Sequence, residues 1–76
     1  MVDSVGYNPP KAWEALTRRE IECLCLLAQG EQPKRISHIL GLTKKTVEHY
    51  IATARRKLDA RTTTQAIVIA IRKGIL

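Results

Sequence analysis

Apolar positions recur along the chain at helical rather than alternating spacing, in four blocks separated by short polar turns. In the third block Val47, Ile51, Ala54 and Leu58 fall at i, i+4, i+7 and i+11, the stripe of a core-facing helix. Lys45, Glu48, His49, Ala52 and Arg56 fall on the opposite side. In the first block the core stripe is Leu16, Glu20, Cys23, Leu24, Leu27 and Ala28, with Ile21 and Cys25 on a neighbouring face expected to stay exposed. The second block turns Ile36, Ile39 and Leu40 inward, with Ser37 small enough for a close helix approach. The last block, Ala66 to Ile71, is apolar nearly all round. Ala66, Ile69 and Ala70 are expected on the core, whereas Ile67 and Ile71 stack on another side with Thr64 beside them and Val68 beyond.

Local signals set the boundaries. Thr17 and Glu20 have the spacing of a capping box, with Leu16 before them as a staple, and Gly30 suits the position after the helix end. Pro33 suits a first helical turn, and Gly41-Leu42 makes a tight turn into Thr43, a good N-cap. Thr62 and Gln65 repeat the capping-box spacing, and Gly74 lets Ile75-Leu76 fold back. The predicted helices are 17–29, 33–40, 44–58 and 63–73, an all-α domain over 13–76. Residues 1–12, with Gly6, Asn8 and Pro9-Pro10, read as a linker or frayed end, which suggests that a larger unit precedes it. The second and third helices, joined by a short Gly turn, have the layout of a helix-turn-helix.

Charge turns this layout toward a partner. The net charge is +6, with three basic against five acidic residues in 1–33 and ten against two in 34–76. A basic half of that density points first to nucleic acid and second to an anionic membrane. Lys44 and Lys45 begin the third helix, where cations sit badly against the helix dipole, so a phosphate is the natural reward. No apolar run reaches the roughly 18 residues of a membrane span, and the start is not a signal peptide, so the expected place is the cytoplasm. Cys23 and Cys25 point to different sides of a helix and make neither a disulfide nor a zinc set. Cys23 reads as a small buried hydrophobe and His38 as a solvated residue. No cofactor or metal is expected. Nor is an enzyme: the chain has no nucleophile beside a base and no Gly-rich phosphate loop.

The blocks LTRREIECLCLLAQGE, RISHILGLTKKTVEHYIATARRKL and QAIVIAIRKGIL, in that order, resemble the DNA-binding domain of LuxR-type (GerE-like) transcription regulators over 61 of 76 residues. The resemblance implies four helices, the third in the major groove and the fourth forming a homodimer contact. It is closest to the quorum-sensing branch, in which a separate N-terminal domain binds an acyl-homoserine lactone. RNA polymerase is a further candidate partner. The chain departs from the family in having Tyr50 where His is frequent, Glu48 where a basic residue is common, Ala52 where polar or basic residues are frequent, and Thr63 where Arg is usual.

On this reading Lys34, Lys44, Lys45, Arg55 and Arg56 meet phosphates, and Thr43 and Thr46 add neutral hydrogen bonds. Glu48, His49 and Ala52 face base edges, Glu48 accepting from cytosine N4 and Ala52 touching a thymine methyl. Tyr50 is semi-buried packing. Thr64, Ile67, Val68 and Ile71 form the dimer surface. Two other readings keep the fold: the output domain of a two-component response regulator or a related promoter reader, and a protein-docking module that uses the last helix.

Overall fold

The computed structural model describes residues 12–76. A 3-10 turn, Ala12–Ala15, leads into α1 (Arg18–Ala28), α2 (Pro33–Leu40), α3 (Lys44–Lys57) and α4 (Thr63–Arg72). The predicted linker therefore lies outside the described residues, apart from Ala12, which opens the 3-10 turn. The four helices match the expected ones, with the caps accounting for the one-residue differences at their ends.

The caps form as their residue types dictate. The Thr17 hydroxyl accepts the Glu20 N–H, and the Glu20 carboxylate accepts the Thr17 N–H at 2.8 Å. At α4 only half of the expected box forms: the Gln65 N–H donates to Thr62 Oγ1, but Gln65 Oε1 accepts instead from the Arg61 N–H at 2.6 Å. Three helix ends share one closing pattern, in which the residue after the C-cap turns left-handed and the next N–H reaches back to the last turn. Gly30 and Gly74 serve α1 and α4, whereas α3 uses Asp59 at φ 54°. A side chain there carries steric cost that glycine avoids. Asp59→Gly should raise stability by about 0.5–1 kcal/mol, read from the midpoint of urea unfolding at unchanged slope.

Helix α3 packs against every other element, the 3-10 turn included. Its buried stripe is shared between two clusters. Val47 and Ile51 join Cys23 and Ile36 between α1 and α2, while Ala54 and Leu58 join Leu24, Ala60, Ala66 and Ala70 between α1 and α4. Leu27 touches both clusters. Each large aliphatic side chain taken fully from water stabilises by roughly 1.5–3 kcal/mol, so α3 is held at both ends by the core. Cys23 is fully buried, as expected of a small hydrophobe.

Several expectations on core facing are corrected. Ile39 is 45% exposed, because α2 meets its neighbours through Ile36, Ser37 and Leu40 and no described element covers its other flank. Ala28, at the end of α1, is exposed, while Ile21 and Cys25 are half-buried rather than exposed. Ile67, placed by the pattern on the free side of α4, packs against the core. Trp13, Leu16, Ile75 and Leu76 widen that core beyond the arc of Ala66, Ile69 and Ala70. The exposed stripe of α4 is instead Thr64, Val68 and Ile71, at i, i+4 and i+7.

Candidate nucleic-acid interface

The outer side of α3 is a ridge built by its own periodicity. With Val47, Ile51, Ala54 and Leu58 buried, Lys44, Lys45, Glu48, His49 and Arg56 stand exposed, and Ala52 is half-exposed between them. The Thr43 hydroxyl fixes where the ridge begins. It accepts the Thr46 N–H at 3.1 Å and donates to Thr46 Oγ1 at 2.9 Å. The Thr46 hydroxyl proton is left for an outside acceptor. The first turn of α3 carries no acidic residue, so its free N–H groups and two lysines present positive charge together.

The remaining predicted residues are distributed around this ridge. Glu48 lies 4.0 Å from Lys44 through its Oε2, one turn along the helix. Arg56 donates from Nη2 to Thr53 Oγ1 at 3.3 Å, and the rings of His49 and Tyr50 lie 6.2 Å apart. Tyr50 packs against the α1–α2 cluster, as read from its place at the stripe edge. Glu48, Ala52 and Arg55 form one wall of a cleft of about 280 Å³ whose other side is Leu27, Pro33 and Thr63. Thus the first residues of α2 and of α4 both border the side of α3 that carries Glu48 and Ala52.

Two of the expected phosphate ligands sit differently from the rest. Arg55 is half-buried and donates from Nη1 to the Ala60 carbonyl at 2.9 Å, which bolts the α3–α4 loop to α3. Lys34 lies on α2 beside a separate hollow with Glu31, Arg35 and His38, away from the cleft along α3.

The residue pair that sequence reasoning missed is Glu20–Lys57. Lys57 Nζ donates to Glu20 Oε1 at 2.8 Å and to the Ala15 carbonyl at 2.9 Å, so one ammonium ties the last turn of α3 to the start of α1 and to the 3-10 turn. The Glu20 side chain is only 5% exposed. Burial alone pushes its carboxyl up, but hydrogen bonds from Lys57 and Thr17 and the Lys57 charge outweigh that and hold its pKa below the ordinary value. A signal was present, since Glu20 falls on the apolar stripe of α1 and a buried carboxylate requires a partner. Burial first, then the charge of Glu22, pushes the Cys23 thiol up, away from reactivity. Among the described residues no group of three His, Cys, Asp or Glu is placed to hold a metal, and no helix is long and apolar enough to cross a membrane.

A helix held at both ends by the core, preceded by a left-handed Gly41 turn and bearing a basic outer ridge, has the layout of the second helix of a helix-turn-helix. Residues 14–70 match the family of bacterial regulatory proteins called the luxR family. The chain belongs to the LuxR family. This is a family of DNA-binding transcription regulators rather than of enzymes, and the domain is a DNA-binding helix-turn-helix. Among its LuxR relatives, the transcriptional regulatory protein LiaR of Bacillus subtilis is 44% identical over 63 residues, covering 83% of this chain and 30% of LiaR. RpaR of Rhodopseudomonas palustris, an HTH-type quorum sensing-dependent transcriptional regulator, is 43% identical over 61 residues, covering 80% of this chain and 25% of RpaR. The response regulatory protein YgeK of Escherichia coli is 40% identical over 60 residues, covering 79% of this chain and 41% of YgeK. The chain thus spans less than half the length of these LuxR relatives.

Proposed function

We propose that this chain binds double-stranded DNA sequence-specifically through the outer ridge of α3, as a homodimer joined along α4, and serves as the C-terminal reading domain of a transcription regulator. The observation that carries this reading is the two-sidedness of α3: a fully packed inner stripe and an exposed outer ridge of Lys44, Lys45, His49 and Arg56. Lys45 and Arg56 meet phosphates, with Lys44 and Lys34 beside them and Thr43 and Thr46 adding neutral contacts. Glu48, His49 and Ala52 face the bases. Arg55, already committed to Ala60, contributes through the remaining N–H groups of its guanidinium.

The paired surface is the Thr64, Val68 and Ile71 stripe. Val68 is 40% and Ile71 55% exposed, and a two-fold contact between copies buries both at once. The likeness to bacterial regulators supports a cytoplasmic place, where bacterial DNA lies. In its longer parent we assign a sensing domain upstream, of the quorum-sensing kind that binds an acyl-homoserine lactone, with RNA polymerase as the downstream partner. The likeness to RpaR supports the quorum-sensing branch; the likeness to YgeK supports a second reading, the output domain of a response regulator.

The test is salt-dependent affinity for duplex DNA. Binding should weaken steeply as salt rises, and Lys45→Ala should weaken binding to every sequence while reducing the log–log slope by about 0.9, one phosphate's worth. A slope and affinity unchanged by Lys45→Ala at low salt would remove the α3 ridge from the DNA.

A further inference from the structure

Lys44 occupies the first position of α3, and its ammonium lies 4.0 Å from Glu48 Oε2. Neither side of this pair is explained by stability. A cation at a helix N-terminus opposes the dipole, and Lys placed N-terminal to Glu is the weaker order of an i,i+4 pair. Both side chains are more than half exposed, at 60% and 55%, where an ion pair contributes little. The pair does, however, lie on the reading ridge, where Glu48 is the one acidic residue of α3.

We propose that Lys44 and Glu48 act as one reading unit, in which Lys44 holds the Glu48 carboxylate toward the amino group of a cytosine in the major groove. This rests on the α3 reading given above and deepens it by giving Lys44 a part in the choice of base. A carboxylate is an acceptor only. Guanine presents N7 and O6, both acceptors, and thymine presents O4 and a methyl, so each repels Glu48. Adenine offers its N6 amino group beside the N7 acceptor, which opposes a carboxylate. Cytosine offers the N4 amino group with no acceptor of its own on the major-groove edge, and is the base a carboxylate fits.

The carboxylate must also approach a polyanion. Lys44 makes that approach possible by cancelling its charge locally, and the interaction strengthens as the groove displaces water. An ammonium has three N–H donors, so Lys44 reaches a phosphate while still holding Glu48. Ala52, one turn further along the same wall, offers no polar group to compete for the base edge. Lys44 is therefore a positioning residue for specificity, in contrast to its neighbour Lys45, which acts through charge alone.

The experiment is a competition assay on the 76-residue chain, with duplexes carrying each of the four base pairs at every half-site position. The wild type should prefer cytosine at one position of each half-site. Glu48→Gln should move that preference to adenine, because an amide matches N6 and N7 together. Lys44→Ala should reduce the cytosine preference at the same position about ten-fold, and Lys44→Arg should restore it. Lys44→Ala combined with Glu48→Ala should show the same base preference at that position as Glu48→Ala alone, whatever affinity is lost with the Lys44 phosphate contact, the mark of a shared interaction. If Lys44→Ala lowers affinity equally for all four base pairs and leaves the preference intact, Lys44 is an ordinary phosphate ligand and the proposal fails. A Glu48→Gln variant with the wild-type preference would remove the base assignment. Lys45→Ala run alongside separates these failures from failure of the α3 reading itself, since only the latter leaves its affinity and salt slope untouched.

Discussion

Lys57→Met should lower the stability of the domain by roughly 2–3 kcal/mol and its melting temperature by on the order of 10–20 °C. The substitution keeps most of the apolar stem of the side chain but strands the Glu20 carboxylate in a pocket only 5% open to solvent, and it also removes the bond to the Ala15 carbonyl. Removing one partner of a buried pair costs more than the pair itself contributes, because the remaining charge stays desolvated. Glu20→Gln should cost less, about 1 kcal/mol, since an amide oxygen still accepts from Thr17 N–H and Lys57 Nζ.

The pH dependence follows from the sign of the Glu20 shift. Its native pKa is lowered from 4.5, so the contribution is present above the unfolded-state value and is lost as pH falls through the native one. In Lys57→Met, burial becomes the dominant influence and the carboxyl rises, so acid favours the variant's folded state. The gap between wild type and variant should be widest near neutral pH and close below the ordinary glutamate value of 4.5. Urea unfolding across pH checks this; a gap that stays constant with pH would mean that Lys57 acts by packing alone.

Val68→Lys with Ile71→Lys should give a folded monomer whose affinity for a site with two half-sites falls by about 100-fold, while binding to a single half-site rises slightly from the added charge. The two side chains are among the large hydrophobics that the fold leaves exposed, and they lie on one stripe with Thr64. On the proposed dimer, burying them across a two-fold axis should set two copies of α3 about 34 Å apart, one turn of DNA, and require a roughly palindromic site. A patch of this width should give a weak dimer alone, tightened by DNA. Sedimentation with and without a two-half-site duplex reads both steps. Wild-type cooperativity in the double variant would move dimerisation to another part of the parent protein.

The features legible in the sequence were those decided within a few residues. Thr17, Thr43 and Thr62 cap because a hydroxyl three residues before a free N–H suffices, and the stripe of Val47, Ile51, Ala54 and Leu58 is set by helical pitch alone. The exposed ridge of α3 follows from that stripe. What local spacing does not contain is which neighbour covers each face. Lys57 reads as one more cation in a basic run, and only the packing of α3 against α1 brings it to Glu20, 37 residues earlier. Ile67 and Ile39 exchange roles for the same reason. The 3-10 turn and the returning Ile75-Leu76 tail extend the core around α4, whereas no described element reaches the outer flank of α2. Arg55 looked equivalent to Arg56 until the α3–α4 loop supplied the Ala60 carbonyl that holds it.

The central claim, that the outer ridge of α3 is the surface that meets DNA, is tested most directly by following backbone amide resonances while a duplex carrying the preferred site is titrated in. The largest shifts should fall on Thr43 to Arg56, with smaller ones at the first turns of α2 and α4 that border the same cleft. Shifts confined to Val68, Ile71 and their neighbours, with α3 unmoved, would contradict it and make α4 the binding surface.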